Sequence, residues 1–163
     1  MINCNKLNNT FKIFTMYKNV ASYDLSFLAK EKGFNLETYS RWGYSPYDDK
    51  LYLHEHNSGY EENSVCKHNW NSQELPAPYP NKALKGQCSA PRLDTLQSWL
   101  REKHGIVVLI DIDPSMKYPY YYKIWQLIEG YEPILLLESG LTDQTYDQVL
   151  ERGLTEALNQ FKN

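Results

Sequence analysis

Between residues 89 and 112 the apolar pattern changes period once. Leu93, Leu96, Trp99 and Leu100 recur every three or four residues, the stripe of an amphipathic helix. Ile106, Val108, Ile110 and Ile112 then alternate with period two, as in a strand with one buried face. Ser89 is a good N-cap type and Pro91 suits only a first helical turn, so the pair predicts the helix start. Gly105 predicts the stop, because it can take the left-handed conformation that closes many helices, with Ile106 folding back on Leu100.

The strongest helical pattern lies near the end. Tyr146, Val149, Leu150, Gly153, Leu154, Ala157, Leu158 and Phe161 share one face, and Thr145 with Gln148 fits a capping box. Gly153 on that face lowers helix propensity but would let the helix approach a sheet closely. Residues 117–128 and 131–138 read as two more strands, separated by turns at Asp113-Pro114-Ser115 and Gly130. In the last strand Leu135 and Leu137 would face oppositely to Ile134 and Leu136. Short connections make consecutive strands antiparallel neighbours. The expectation is an α-β-β-β-α unit over 89–163, a meander with both helices on one face.

Residues 1–88 read as a second lobe. Phe11 and Ile13 admit a short strand or a frayed arm. Ser22 opens a helix carrying Leu25, Leu28 and Ala29, and Gly33-Phe34 repeats the stop seen at Gly105-Ile106. Strand-like runs follow at 36–42 and 51–56, with turn chemistry at 45–49. Residues 57–87 are irregular, with PAPYP at 76–80, and read as a linker-like loop that packs against the domain. The fold class is α+β, an N-terminal helix-and-strand lobe packed with the C-terminal unit as one compact protein. FLAKEKGF at 27–34 aligns without gaps to WLREKHGI at 99–106. The match fits a duplicated unit and equally the common grammar of a glycine-stopped helix.

Composition narrows the classes. Of 163 residues 42% are hydrophobic, enough to bury a core, and 14 are tyrosines, which suit half-wet sheet faces and interfaces. Net charge is −3, residues 1–88 carrying +1 and 89–163 carrying −4, so no basic stripe offers phosphate a counter-charge. Cys4, Cys66 and Cys88 are an odd set without CxxC spacing, which fits free thiols in a reducing compartment. No run reaches the roughly 20 apolar residues of a membrane span, and the first twenty residues lack a signal peptide's apolar core. Cytoplasmic residence is expected.

Chemistry-bearing groups are sparse. His54, His56, Cys66 and His68 are the metal-like set, but HxH followed by CxH matches no established zinc spacing, and a polar strand end is the plainer reading. Asp111, Asp113 and Glu138 gather at strand ends, where carboxylates can hold Mg²⁺ or, more commonly, are solvated turn charges. No P-loop, G-x-G-x-x-G or Ser-His-Asp order occurs, and no cofactor is expected. Tyr118, Tyr120 and Tyr122 would line one face of the middle strand, with Tyr121, Lys123 and Trp125 on the other. Tyr118, Tyr120, Tyr122 and Trp125 are the candidate binding residues, since aromatics on an open sheet can stack bases or meet a protein. One sheet face must be covered by something other than the two helices. Tyr39, Trp42, Tyr52 and Leu53 of the N-terminal lobe are the expected cover.

CSAPRLDTLQSWLREKHGI, the meander and TYDQVLERGLTEAL, with SYDLSFLAKEKGF earlier, resemble a group of small uncharacterised proteins of gut bacteria of the Bacteroides type and of their phages and mobile elements. The resemblance covers about half the chain and rests on capping and packing patterns. It implies an accessory intracellular protein and no activity. The expected function is a non-enzymatic protein-interaction role, with a protein partner or a second copy. A nucleic-acid module using the tyrosine-rich sheet and a small zinc-containing protein are the alternatives.

Overall fold

The computed structural model describes residues 19–45, 47–55, 69–71, 86–117, 119–140 and 145–160. It is an α+β fold, with three helices and two antiparallel three-stranded sheets among the described residues. In chain order the elements are α1 (Tyr23–Glu31), β1 (Ser40–Tyr44), β2 (Leu51–Glu55), β3 (Cys88–Ala90), α2 (Leu93–His104), β4 (Ile106–Ile112), β5 (Tyr120–Gln126), β6 (Ile134–Glu138) and α3 (Tyr146–Asn159). One sheet has the order β2-β1-β3 and the other β4-β5-β6. The suggested N-terminal strand at Phe11–Ile13 and most of the 57–87 loop lie outside the described residues.

The helix stops follow from backbone conformation. Gly33 and Gly105 both have positive φ, +88° and +63°, which is nearly free only for glycine. After Gly33 the Phe34 amide returns to the Ala29 carbonyl, and the Gly105 amide returns to that of Arg101. Thr145 and Gln148 form the reciprocal capping box of α3.

The start of α2 is a correction. Ser89 is not its N-cap but a fully buried residue of β3. Its hydroxyl accepts from the Trp70 amide and its own amide donates to Asn71 Oδ1, at 3.1 and 2.9 Å. Pro91 disfavours helical backbone at the residue before it, so the extended segment runs on. Arg92 then holds the N-cap position without a side-chain capping bond, its guanidinium bonding Asp94 instead. The Asn19 carbonyl instead accepts from the Leu93 amide at 2.7 Å. Asn19 belongs to a short stretch bridged antiparallel to this segment through Val20 and Arg92, with the Ala21 amide on the Pro91 carbonyl. A tertiary contact thus does the work of a local cap.

Three strands differ in extent from the pattern. The first begins at Ser40, β5 is confined to Tyr120–Gln126, and β6 begins at Ile134, just after Pro133, which has no N–H for a ladder. A bulge between Ile124 and Trp125 in the β5–β6 pairing also changes the facing of β6. Leu135 lies across from Trp125 and Leu137 across from Ile124. Those two leucines therefore take opposite faces, where uniform alternation put them together.

Among the described residues one apolar cluster joins the elements. Ala21, Leu25, Ala29 and Phe34 join Leu93, Leu96, Trp99 and Leu100 of α2, the inward residues of β4 and β5, and the α3 stripe. Helix α1 touches β3 on one side and α3 on the other, while α2 and α3 lie on the second sheet. Gly153 lets α3 approach the sheet closely. A Cβ there would stand 2.8 Å from Val108 Cγ1 and 3.2 Å from Tyr122 Cβ. Trp99 is 4% exposed and packs edge-on to Phe34 and His104, at 5.4 and 4.7 Å between ring centres.

Candidate functional site

The pairing of β4 and β5 sorts the second sheet into two faces. Ile106, Val108, Tyr122 and Ile124 are buried under the helices, with Ile110, Tyr120 and Leu137 packed at the margin. Tyr122 is 3% exposed, and burial raises its phenol above the ordinary value. Tyr120 stands edge-on to Tyr146 of α3 at 5.9 Å. Tyr120 and Tyr122 therefore serve helix packing. Tyr118 lies outside the described residues. Trp125 sits on the opposite face, across from Val107 and Leu135.

That opposite face is the candidate site. In register it presents Val107, Leu109 and Asp111 of β4, Tyr121, Lys123 and Trp125 of β5, and Leu135 and Glu138 of β6. Leu109 is 49% exposed and Leu135 41%. Two residues of the expected cover, Trp42 and Tyr52, are engaged elsewhere. Trp42 donates its indole N–H to the Ala21 carbonyl and packs against Tyr23, and Tyr52 donates to Asp48 Oδ2 beside His54. Those aromatics are occupied within the first sheet and its helix, because Tyr23 of α1 occupies the space beside Trp42 and Tyr44.

One end of the face is charged. Lys123 Nζ lies 3.0 Å from Asp111 Oδ2 and 3.8 Å from Glu138 Oε1, and 5.1 Å from the centre of the Tyr121 ring. The Tyr121 hydroxyl donates to the same Asp111 oxygen at 3.0 Å. Hydrogen bonds from Lys123 above all, then from the Ile112 amide and Tyr121, hold the Asp111 carboxyl below its usual range; hydrogen bonds to Asp111 first and Tyr121 second raise Lys123 above its ordinary value. A lysine so held is a poor amine nucleophile, and its carboxylates are largely committed to it. Asp113 is occupied differently: it accepts from the Ser115 hydroxyl and amide at 2.6 and 3.0 Å in the turn. An open cleft of about 410 Å³ adjoins this end, lined by Ile112, Asp113, Pro114, Tyr121, Glu138 and Ser139.

The sheet's edges carry protections of their own. Gln97 of α2 donates its amide to the Val108 carbonyl at 2.5 Å, and Asp111 Oδ1 accepts from the Ile112 amide at 2.9 Å. At the other edge β6 is bulged. Side-chain capping and bulges both blunt strand addition.

Of the metal-like set only His54 is described; His56, Cys66 and His68 lie outside the described residues. Burial first, and the Arg41 guanidinium second, hold His54 below its ordinary 6.5. No group of three or more His, Cys, Asp or Glu among the described residues is arranged to hold a metal ion. On the same side of the first sheet Arg41 lies 4.5 Å over the Trp70 ring and donates to Gln87 Oε1. Asn71 donates to the Phe34 carbonyl at 2.6 Å, so the stretch at 69–71 is tied to the core. Cys88 is a buried free thiol, pushed up to about 12 by burial. It is an inert packing residue.

Sequence reasoning identified the alternation along β5 but not the β6 facing, since Ile-Leu-Leu-Leu offers no polar residue to mark a bulge. Gln97 was also missed; its signal is a polar residue beside the apolar stripe of α2. No helix among the described residues is long and apolar enough to cross a membrane. Comparison with protein-family models, with curated proteins and with solved structures returns no match to this chain.

Proposed function

We propose that this chain is a non-enzymatic binding protein whose working surface is the face of the second sheet away from α2 and α3. The observation that carries the reading is the exposure of Leu109 and Leu135 beside Trp125, on the side of the sheet away from α2 and α3. Apolar side chains gathered on one sheet face mark contact surfaces more often than idle ones. Lys123, Asp111 and Glu138 satisfy one another there, which favours recognition over catalysis. The resemblance of its helical segments supports a narrower reading, an intracellular accessory protein of the Bacteroides and mobile-element kind. The acidic balance of the sheet disfavours nucleic acid.

A photo-reactive amino acid at position 109, with position 47 as control, tests the reading in the native host. Tyr47 is 90% exposed and lies far from the second sheet in the chain. Discrete adducts from 109 and none from 47 support it. Equal adducts from both positions, or none from either, overturn it.

A further inference from the structure

On the first sheet a short turn, Asn69–Asn71, is held the way a ligand is held. It belongs to no helix or strand. Trp70 is 3% exposed, with the Arg41 guanidinium 4.5 Å over its ring and its amide on Ser89 Oγ at 3.1 Å. Asn71 donates its side-chain amide to the Phe34 carbonyl at 2.6 Å and accepts the Ser89 amide at 2.9 Å. One side chain thus serves a donor and an acceptor of two separate backbones, as a neighbouring strand would. Asn69 Oδ1 accepts from the Asn71 amide at 3.1 Å, which fixes the turn that presents both side chains.

The receiving groups are held independently of this turn. Arg41 and Ser89 are paired across β1 and β3, and Arg41 also donates to Gln87 Oε1 at 3.0 Å. Lys30 of α1 donates to the Gln87 carbonyl at 2.7 Å. Phe34 is fixed by its amide on the Ala29 carbonyl and by its ring against Trp99. The turn itself is joined to this frame only through residues 56–68 and 72–85. We propose that the frame is a docking site for a Trp-Asn turn of another protein, and that residues 69–71 are its built-in occupant. Arg41 selects a flat aromatic ring. The Phe34 carbonyl beside the Ser89 amide selects a side chain that both donates and accepts, which Asn does and ionised Asp does not. A tethered occupant competes at an effective concentration on the order of millimolar, so it holds the site against weak ligands. The site is separate from the face of the second sheet, and neither reading depends on the other.

The test empties the site in the full chain with Trp70→Ala and Asn71→Ala together, and with Asn71→Ala alone. The probe is a dye-labelled synthetic peptide of residues 68–72, His-Asn-Trp-Asn-Ser, read by fluorescence anisotropy. The double variant should keep one cooperative urea transition, whose midpoint the peptide raises. It should bind the peptide at least tenfold more tightly than the unaltered chain, with Asn71→Ala between the two. Peptides with Ala for the Trp, or Asp for the second Asn, should bind the double variant at least tenfold more weakly. If the double variant does not fold, Asn71→Ala decides, by binding more tightly than the unaltered chain. Loss of the fold in both variants overturns the proposal, because the turn is then part of the core. Equal binding of the altered peptides, or no gain in binding over the unaltered chain, overturns it too. So does a dimer of the unaltered chain, seen in sedimentation equilibrium, that the variants lose, since the donor of the turn is then a second copy.

Discussion

Gly153→Ala separates local from tertiary control in this fold. In an exposed helix the substitution would stabilise by about 1 kcal/mol, because alanine loses less backbone freedom. Here the new methyl would lie 2.8 Å from Val108 Cγ1, 3.1 Å from Tyr122 Cγ and 3.2 Å from Tyr122 Cβ. Favourable carbon contacts lie near 3.5–4.0 Å, so roughly 0.5 Å or more must be found. The nearest atoms sit close to the strand backbone and cannot swing aside as the end of a lysine could. Relief requires α3 to lift from the sheet. Overpacking of this kind costs about 1–3 kcal/mol, which exceeds the propensity gain over most of that range. The expected net loss is about 1 kcal/mol in urea unfolding, a fall in Tm of about 2–4 °C for a chain of this size. In a Val108→Ala background the clash is partly removed, and the two substitutions should couple by at least about 0.5 kcal/mol. A Gly153→Ala variant more stable than the parent would refute the close approach.

Three further outcomes are expected. Trp99→Ala should lose about 3–5 kcal/mol, the range for a large buried aromatic; a loss under about 1 kcal/mol would show that Phe34 and His104 do not enclose it. Cys88 should resist a thiol reagent at pH 8 in the native protein and react once urea unfolds the chain; equal rates in both states would contradict its burial. His54 and His104 are both held below 6.5, by burial in each case and also by Arg41 for His54. Protons therefore bind the unfolded chain first, and stability should fall as pH drops from about 7 towards 5.5. Unfolding midpoints that stay level or rise over that interval would contradict this.

Much of the architecture was legible because it is written in local terms. Gly33 and Gly105 stop their helices where the pattern indicates, and Thr145-Gln148 caps α3. Period two along Ile106–Ile112 correctly sorts the faces of β4. What escaped depends on partners distant in sequence. Ser89 has the right chemistry for a cap, yet Trp70 and Asn71 claim it for a strand. Tyr120 and Tyr122 look like a binding row, but period two cannot say which face the helices will take. Trp42 and Tyr52 could have covered the second sheet, and nothing in their spacing shows that Ala21, Tyr23 and Asp48 engage them instead.

The bond between the Leu93 amide and the Asn19 carbonyl joins positions 74 residues apart. During synthesis the first helix leaves the ribosome well before its partners exist. At about 5–20 residues per second the interval is about 4–15 s. Throughout it, the stripe of Leu25 and Ala29, with Phe34, has neither α2 nor α3 to cover it. The nascent chain therefore carries an exposed apolar segment for seconds, a natural ligand for chaperones. Completion of Leu93–Leu100 begins to withdraw it, and the cover is finished only when α3, which packs on the first helix, has emerged.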